Sequence, residues 1–142
     1  MNTKAYGICL YKKKDGVIKI LLCKSIKSLD KWGTLKGVAE DYETKIQTAI
    51  REFKEESSID IQAKYFEQYF EQKNEKKDIG IYLVNYDNIP NISKYFFEDK
   101  LIDRYLSWEN TTAKFFDIDK IPKIKKKQIN LINDIIIYLK KR

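Results

Sequence analysis

The sequence predicts an α/β (α+β) chain in which one mixed sheet carries helices. Residues 3–12, 17–24 and 79–86 are apolar, β-branched and aromatic runs of strand length, bounded by turn signals. Two other segments, one opening at Thr44 and one over 125–140, repeat their apolar residues at the spacing of a buried helix stripe. The order strands, helix, strands, helix points to a sheet lying between helices. At 142 residues, with 43% hydrophobic and 13% aromatic residues, the chain reads as a single domain over 1–142 with a real core.

Each element has a local reason. TKAYGICLYK (3–12) is the first strand, and Asp15-Gly16 is the hairpin signal that folds Val17 to Lys24 back on it. Ile18, Ile20, Leu21 and Leu22 are apolar enough for a central strand. Residues 25–31 form a polar loop, and Trp32 to Gly37 is a short extended segment. Gly37 permits a backbone conformation or a close approach that a side chain would block. Thr44 followed by Gln47 makes a capping box, and Ile46, Ala49, Ile50 and Phe53 make the buried stripe behind it. Residues 59–72 alternate as one long strand, 73–78 are a charged turn, and IGIYLVNY (79–86) is a strong strand. Pro90 and its asparagine neighbours break it. Residues 93–106 are a short helix or an irregular lobe, and 114–117 a strand. Ile129, Ile132, Ile135, Ile136 and Leu139 form the buried face of the last helix, and Lys123, Lys125, Lys126 and Lys127 its solvated start.

The formal charge of +7 suits an anionic substrate, whose approach a positive field speeds, or nucleic acid. A lysine- and isoleucine-rich composition, with three arginines among 28 basic residues, gives the same sum without any partner. Histidine is absent, which excludes His-based triads, His general bases and the usual His zinc sites. Cys9 and Cys23 sit in apolar runs and read as free buried thiols, too few for a zinc site. No apolar run reaches membrane-spanning length and no signal peptide is visible, so a cytoplasmic protein without membrane association is expected.

The densest chemistry lies in residues 37–59, GVAEDYETKIQTAIREFKEESSI. Glu52, Glu55 and Glu56 fall on an arc of roughly 100° beside the apolar stripe. Only Lys54 intervenes, on another face. A hard divalent cation with oxygen ligands, Mg²⁺ or Mn²⁺, relieves repulsion of that kind. An ordinary charged helix face carries the same residues, and spacing alone leaves both readings open.

The stretch resembles the Nudix box, G-x5-E-x7-R-E-U-x-E-E-x-G-U, where U is a bulky apolar residue. Gly37, Glu43, Arg51, Glu52, Phe53, Glu55, Glu56 and Ile59 match; Ser58 stands where the family has glycine. The resemblance implies a Nudix-like α/β/α sandwich and a metal-dependent hydrolase that attacks a pyrophosphate with water. Carried over position by position, it implies Glu55 and Glu56 as metal ligands and Glu52 as ligand or base. The Gly37 carbonyl would complete a metal shell, and Glu43 with Arg51 would orient the carboxylates. Ser107-Trp108-Glu109-Asn110, with Lys114-Phe115-Phe116 and Asp119, resembles the S-x-E-H…R-W-x-x-L-E segment of diadenosine tetraphosphate hydrolases. It makes Glu109 a further catalytic and metal-binding carboxylate, with Glu98 its rival and Asn110 in place of the usual histidine.

Trp32-Gly33-Thr34-Leu35-Lys36-Gly37 resembles the W-x-x-P-K-G lead-in of dinucleoside polyphosphate hydrolases, with Leu35 for proline. Lys36 and Lys77 are the candidate phosphate-binding residues, and Tyr82 is the candidate for stacking on adenine; sheet packing is the competing role for Tyr82 and Trp32. The implied substrate is a dinucleoside polyphosphate such as diadenosine tetraphosphate. An RNA 5′-pyrophosphohydrolase or a nucleoside triphosphate pyrophosphatase stays open, and so does a non-catalytic Nudix-fold module that binds a nucleotide or an RNA end. Retention of all four box glutamates weighs for catalysis. A basic RNA-binding protein with incidental helix charges would instead show salt-sensitive RNA binding indifferent to metal.

Overall fold

The computed structural model describes residues 1–28 and 30–142, and eight strands of the described residues form one mixed sheet. The strands are β1 (Thr3–Lys14), β2 (Val17–Ser25), β3 (Leu35–Val38), β4 (Phe66–Gln72), β5 (Lys77–Asn85), β6 (Phe96–Phe97), β7 (Lys100–Leu101) and β8 (Asn110–Asp117). Helix α1 (Lys45–Ser57) follows β3, and α2 (Ile129–Lys140) follows β8. The order across the sheet is β4-β5-β1-β2-β8-β7-β6, with β3 paired to β1 off that path. β1 runs antiparallel to β2 and β3 and parallel to β5.

The apolar strands are apolar on both faces because both faces are covered. Tyr6, Ile8 and Leu10 of β1 join Ala49 and Phe53 of α1 in one core. Cys9 and Tyr11 join Leu131, Ile132, Ile135 and Leu139 of α2 in the other. β2 splits the same way, with Leu21 and Cys23 toward α1 and Ile20 and Leu22 toward α2. The result is the expected α/β/α sandwich. Phe53 is fully buried, and truncating such a ring to alanine costs about 3–5 kcal/mol.

α1 starts as its capping box predicts. Thr44 Oγ1 accepts from the Gln47 amide at 3.1 Å, and Gln47 Oε1 accepts from the Thr44 amide at 2.9 Å. Its buried face is rotated from the expected stripe: Thr48 and Ser57 are buried with Ala49 and Phe53, Ile50 is half-buried and Ile46 is 39% exposed. The two hydroxyls tolerate burial because each donates back to the helix, Thr48 Oγ1 to Thr44 O at 3.1 Å and Ser57 Oγ to Phe53 O at 2.6 Å.

The strand expected over 59–72 begins only at Phe66. Ile59 and Ile61 are buried in the α1-side core, and residues 63–65 form a 3₁₀ turn. The strand expected at 114 begins at Asn110. Residues 93–106 prove to be the irregular lobe, with 3₁₀ turns at 92–95 and 103–105 around β6 and β7. α2 opens at Ile129 after a 3₁₀ turn over Lys126–Gln128; Leu131 joins its buried face and Ile129 stays exposed. Leu29, within the expected loop over 25–31, lies outside the described residues. Among the described residues no helix is long and apolar enough to cross a membrane. Cys9 and Cys23 are buried and free.

Candidate active site

β3 and α1 pack side by side, joined by the loop over 39–44. Gly37 therefore lies under the Glu52 side chain, and a β-carbon there would fall 2.0 Å from the Glu52 carboxylate. Close approach, not a left-handed backbone, is what demands glycine at this position.

Arg51 is the hub beside it. Its Nε donates to Glu43 Oε2 at 2.6 Å and its Nη2 to Glu43 Oε1 at 2.9 Å, a bidentate pair. Nη1 donates to Glu52 Oε2 at 2.9 Å and to Glu55 Oε1 at 3.1 Å, and Nη2 reaches the Val38 carbonyl at 3.1 Å. The Glu43 side chain is only 6% exposed and also accepts from the Glu40 amide and Thr48 Oγ1. Hydrogen bonds from Arg51, above all, hold the Glu43 carboxyl down at about 2. This one guanidinium ties β3, the loop and three glutamates together.

The far end of α1 is stapled to the segment before β8. The Ser107 amide donates to Glu56 O at 2.9 Å, and Ser58 Oγ donates to Tyr105 O at 2.7 Å. Ser58 itself is left-handed, at φ 69° and ψ 2°, with its amide capping Lys54 O at 2.8 Å. The staple brings Asn110 to Glu56, where Nδ2 donates to Oε1 at 3.0 Å. Glu56 Oε2 is buried and, among the described residues, has no hydrogen-bond partner. Burial pushes the Glu56 carboxyl up to about 7; the Asn110 bond and the Lys36 charge oppose this, and the Glu52 and Glu109 charges add to it. The Glu52 carboxyl is also raised, by burial first.

Glu109 lines a cavity of about 200 Å³ together with Glu56, Lys36, Asn110, Lys125 and Trp108. Glu98 lies in the turn between β6 and β7 and lines a separate groove with Lys12, Lys19 and Lys114. Lys36 and Lys125 also line an adjoining cavity of about 340 Å³ that Lys77 shares. Burial first, then the Lys77 and Lys125 charges, bring the Lys36 ammonium down to about 8. Tyr82 is not among the residues lining these cavities; its ring stacks on Phe66 at 4.5 Å and tilts against Tyr69 at 4.8 Å. Trp32 is buried edge-on to Phe116. The aromatic beside the carboxylates is Trp108, 81% exposed, whose only signal in sequence was its place next to Glu109.

A family model for the NUDIX domain matches residues 1–135. The chain belongs to the Nudix family. Its enzyme class is that of the Nudix pyrophosphohydrolases. Solved structures share the fold across nearly the whole chain. A C. elegans Ap4A hydrolase binary complex is 21% identical at TM-score 0.65, covering 99% of each chain. The E. coli dihydroneopterin triphosphate pyrophosphohydrolase is 17% identical at TM-score 0.65, covering 95% of each. A NUDIX hydrolase from Nitrosomonas europaea is 18% identical at TM-score 0.64, covering all of this chain and 73% of the other. No curated protein matches the sequence at a significant level.

Nudix enzymes generally use divalent metals. The donors here fit a hard cation, being carboxylate and carbonyl oxygens with no histidine. A buried carboxylate oxygen without a donor, Glu56 Oε2, is the clearest mark of such a fit. Among the described residues the carboxylates do not converge as a ready three-ligand cluster. Arg51 holds Glu52 and Glu55, while Glu56 turns to Asn110.

Proposed function

We propose that residues 1–142 act as one cytoplasmic domain that hydrolyses a pyrophosphate bond in a dinucleoside polyphosphate, such as diadenosine tetraphosphate, with Mg²⁺ or Mn²⁺. One observation carries the reading: Glu56, with an unpartnered buried oxygen, lines the same cavity as Lys36. A residue whose carboxylate suits a cation thus lines the space in which an ammonium can hold a phosphate. The Lys36-Gly37 lead-in and the Glu109 segment support the dinucleoside polyphosphate, in agreement with the fold likeness to the C. elegans Ap4A hydrolase.

Glu52, Glu55, Glu56, Glu109 and the Gly37 carbonyl would hold the metal. When bound, it neutralises phosphate charge and makes water acidic enough to lose a proton near neutral pH. Glu43 and Arg51 position Glu52 and Glu55, and Arg51 must release Glu55 before Glu55 can serve as a ligand. Glu52, where it is not a ligand, accepts the proton of the water that attacks phosphorus. The bond from that phosphorus to the bridging oxygen breaks, and the nucleoside phosphate carrying that oxygen leaves. Lys36 and Lys77 hold non-bridging phosphate oxygens. Trp108 offers an exposed aromatic face at the cavity for a base to stack on, a role Tyr82 would fill only by leaving its place against Phe66.

A substrate panel tests this: diadenosine polyphosphates, 5′-triphosphorylated RNA, ADP-ribose and oxidised nucleoside triphosphates, with products resolved by chromatography. The expected result is metal-dependent turnover, fastest on diadenosine tetraphosphate. Faster release of pyrophosphate from triphosphorylated RNA would replace the substrate. No metal-dependent turnover of any member would leave a binding module.

A further inference from the structure

Of the lysines expected as the solvated start of the last helix, Lys123, Lys126 and Lys127 are exposed and Lys125 is half-buried, but the main chain that carries them is held in place. The Trp32 amide donates to Lys123 O at 2.8 Å, and the Lys125 amide to Trp32 O at 3.0 Å. Gln72 Nε2 donates to Lys126 O at 3.3 Å, and Asn74 Nδ2 to Lys127 O at 3.1 Å. The buried Gln128 side chain accepts from both Thr34 N and Thr34 Oγ1 at 2.8 Å. The turn is therefore clamped between the segment that leads into Lys36 and the β4–β5 connection that leads into Lys77.

The clamp has an electrostatic cost. Lys31, Lys36, Lys77, Lys125, Lys126 and Lys127 line one cavity of about 340 Å³ with no acid among its walls. Among the described residues none of the six forms an ion pair, whereas the neighbouring Lys123 pairs with Asp30 at 3.5 Å. Another lysine-lined groove is different in kind: Asp99 binds both Lys12 and Lys19, and Glu98 and Asp117 line it too. Six like charges placed around one space by a turn with a fixed main chain, three of them half-buried (Lys36, Lys77, Lys125), make a site for a multiply charged anion. Lys36 and Lys125 form walls common to this space and to the cavity of Glu56 and Glu109. A phosphate chain held by Lys36 at the carboxylates would therefore have the lysine-lined space beside it.

We propose that Lys125, Lys126 and Lys127, with Lys31 and Lys77, form a subsite for the phosphates beyond the bond that is cleaved, so that the enzyme selects longer phosphate chains. This rests on the pyrophosphohydrolase reading above for its kinetic consequence, though not for binding itself. The first measurement is calorimetric titration of the metal-free protein with sodium tripolyphosphate and with pyrophosphate. Tripolyphosphate should bind tighter by about tenfold, the worth of roughly one charge-assisted contact. The double variant Lys125→Gln/Lys127→Gln should lose that difference, and Lys14→Gln/Lys120→Gln should keep it. The second measurement is KM on diadenosine tri-, tetra- and pentaphosphate. It should fall with chain length in the parent and level off in the double variant, with kcat nearly unchanged. Lysine-dependent tripolyphosphate binding in a protein that hydrolyses nothing would sustain the subsite and remove the enzymatic reading. Hydrolysis with the same chain-length dependence in parent and variant would remove the subsite alone.

Discussion

The Glu52 carboxylate lies over the α-carbon of Gly37, at the spot a β-carbon would occupy. The contact joins β3 to α1 through one glycine and one acid. Gly37 has no left-handed backbone, so alanine is acceptable to the main chain there. Gly37→Ala should fold with a nearly unchanged melting temperature. Displacing Glu52 by an ångström or more should lower kcat by about a hundredfold. Full turnover in the alanine variant would mean that Glu52 does not act from this position.

Glu56 and Lys54 separate a metal site from a charged surface. Lys54 is exposed, with only a 4.0 Å pairing to exposed Asp60, so Lys54→Gln should change little. Mg²⁺ or Mn²⁺ should raise the melting temperature of the parent by mass action. Glu56→Gln keeps the shape and a partner for Asn110, yet it should abolish most of that metal-induced rise. Turnover should fall by about a hundredfold or more. If both variants kept full turnover and the full metal response, the α1 carboxylates would not be the catalytic centre.

Ser58 occupies a left-handed position, which disfavours a β-carbon by about 1–2 kcal/mol. Its hydroxyl recovers part of that through Tyr105 O, a bond worth about 0.5–1.5 kcal/mol. The two offset, so Ser58→Gly should shift unfolding free energy by no more than about 1 kcal/mol. Ser58→Ala keeps the strain, loses the bond and should be the less stable of the two in denaturant titration. A many-fold gain in activity on restoring glycine would show the natural helix end to be impaired.

The Glu43–Arg51 pair should appear in acid. The Glu43 carboxyl is held at about 2, below its ordinary 4.5. A depressed folded value stabilises the fold fully above 4.5, and that contribution is lost as pH falls from 4.5 toward 2. Glu43→Gln should therefore be less stable than the parent at pH 7, and the gap should narrow between pH 4.5 and 3 in chemical denaturation. A gap constant across that window would mean the pair is not ionic.

What could be read from sequence was local. The capping box, the Asp-Gly hairpin and the box residues all lie within one element or one loop of their partners. The rotation of α1 that exposes Ile46 was not readable, because the apolar period alone favours Ile46 over Thr48. Only the Thr44 and Glu43 oxygens make burying Thr48 acceptable. Ile59 and Ile61 alternate like a strand, yet they fill the α1-side core before any ladder begins. The site beyond the box joins distant residues. Asn110 reaches Glu56 only because Ser107 is stapled to the end of α1, and Lys77 shares a cavity with Lys125 only because Gln72 and Asn74 grip the turn. No spacing rule within one element encodes such pairings.

β1 pairs in register with β5, Thr3 opposite Lys77 and Tyr11 opposite Asn85. During synthesis these partners emerge about seventy residues apart. At 5–20 residues per second, β1 waits on the order of ten seconds for its parallel neighbour. Its hairpin with β2 forms at once, but that leaves the other edge of β1 open, with Ile8, Cys9 and Leu10 alongside. A ribosome pause before residue 77 therefore lengthens the interval in which this edge can pair with another nascent chain.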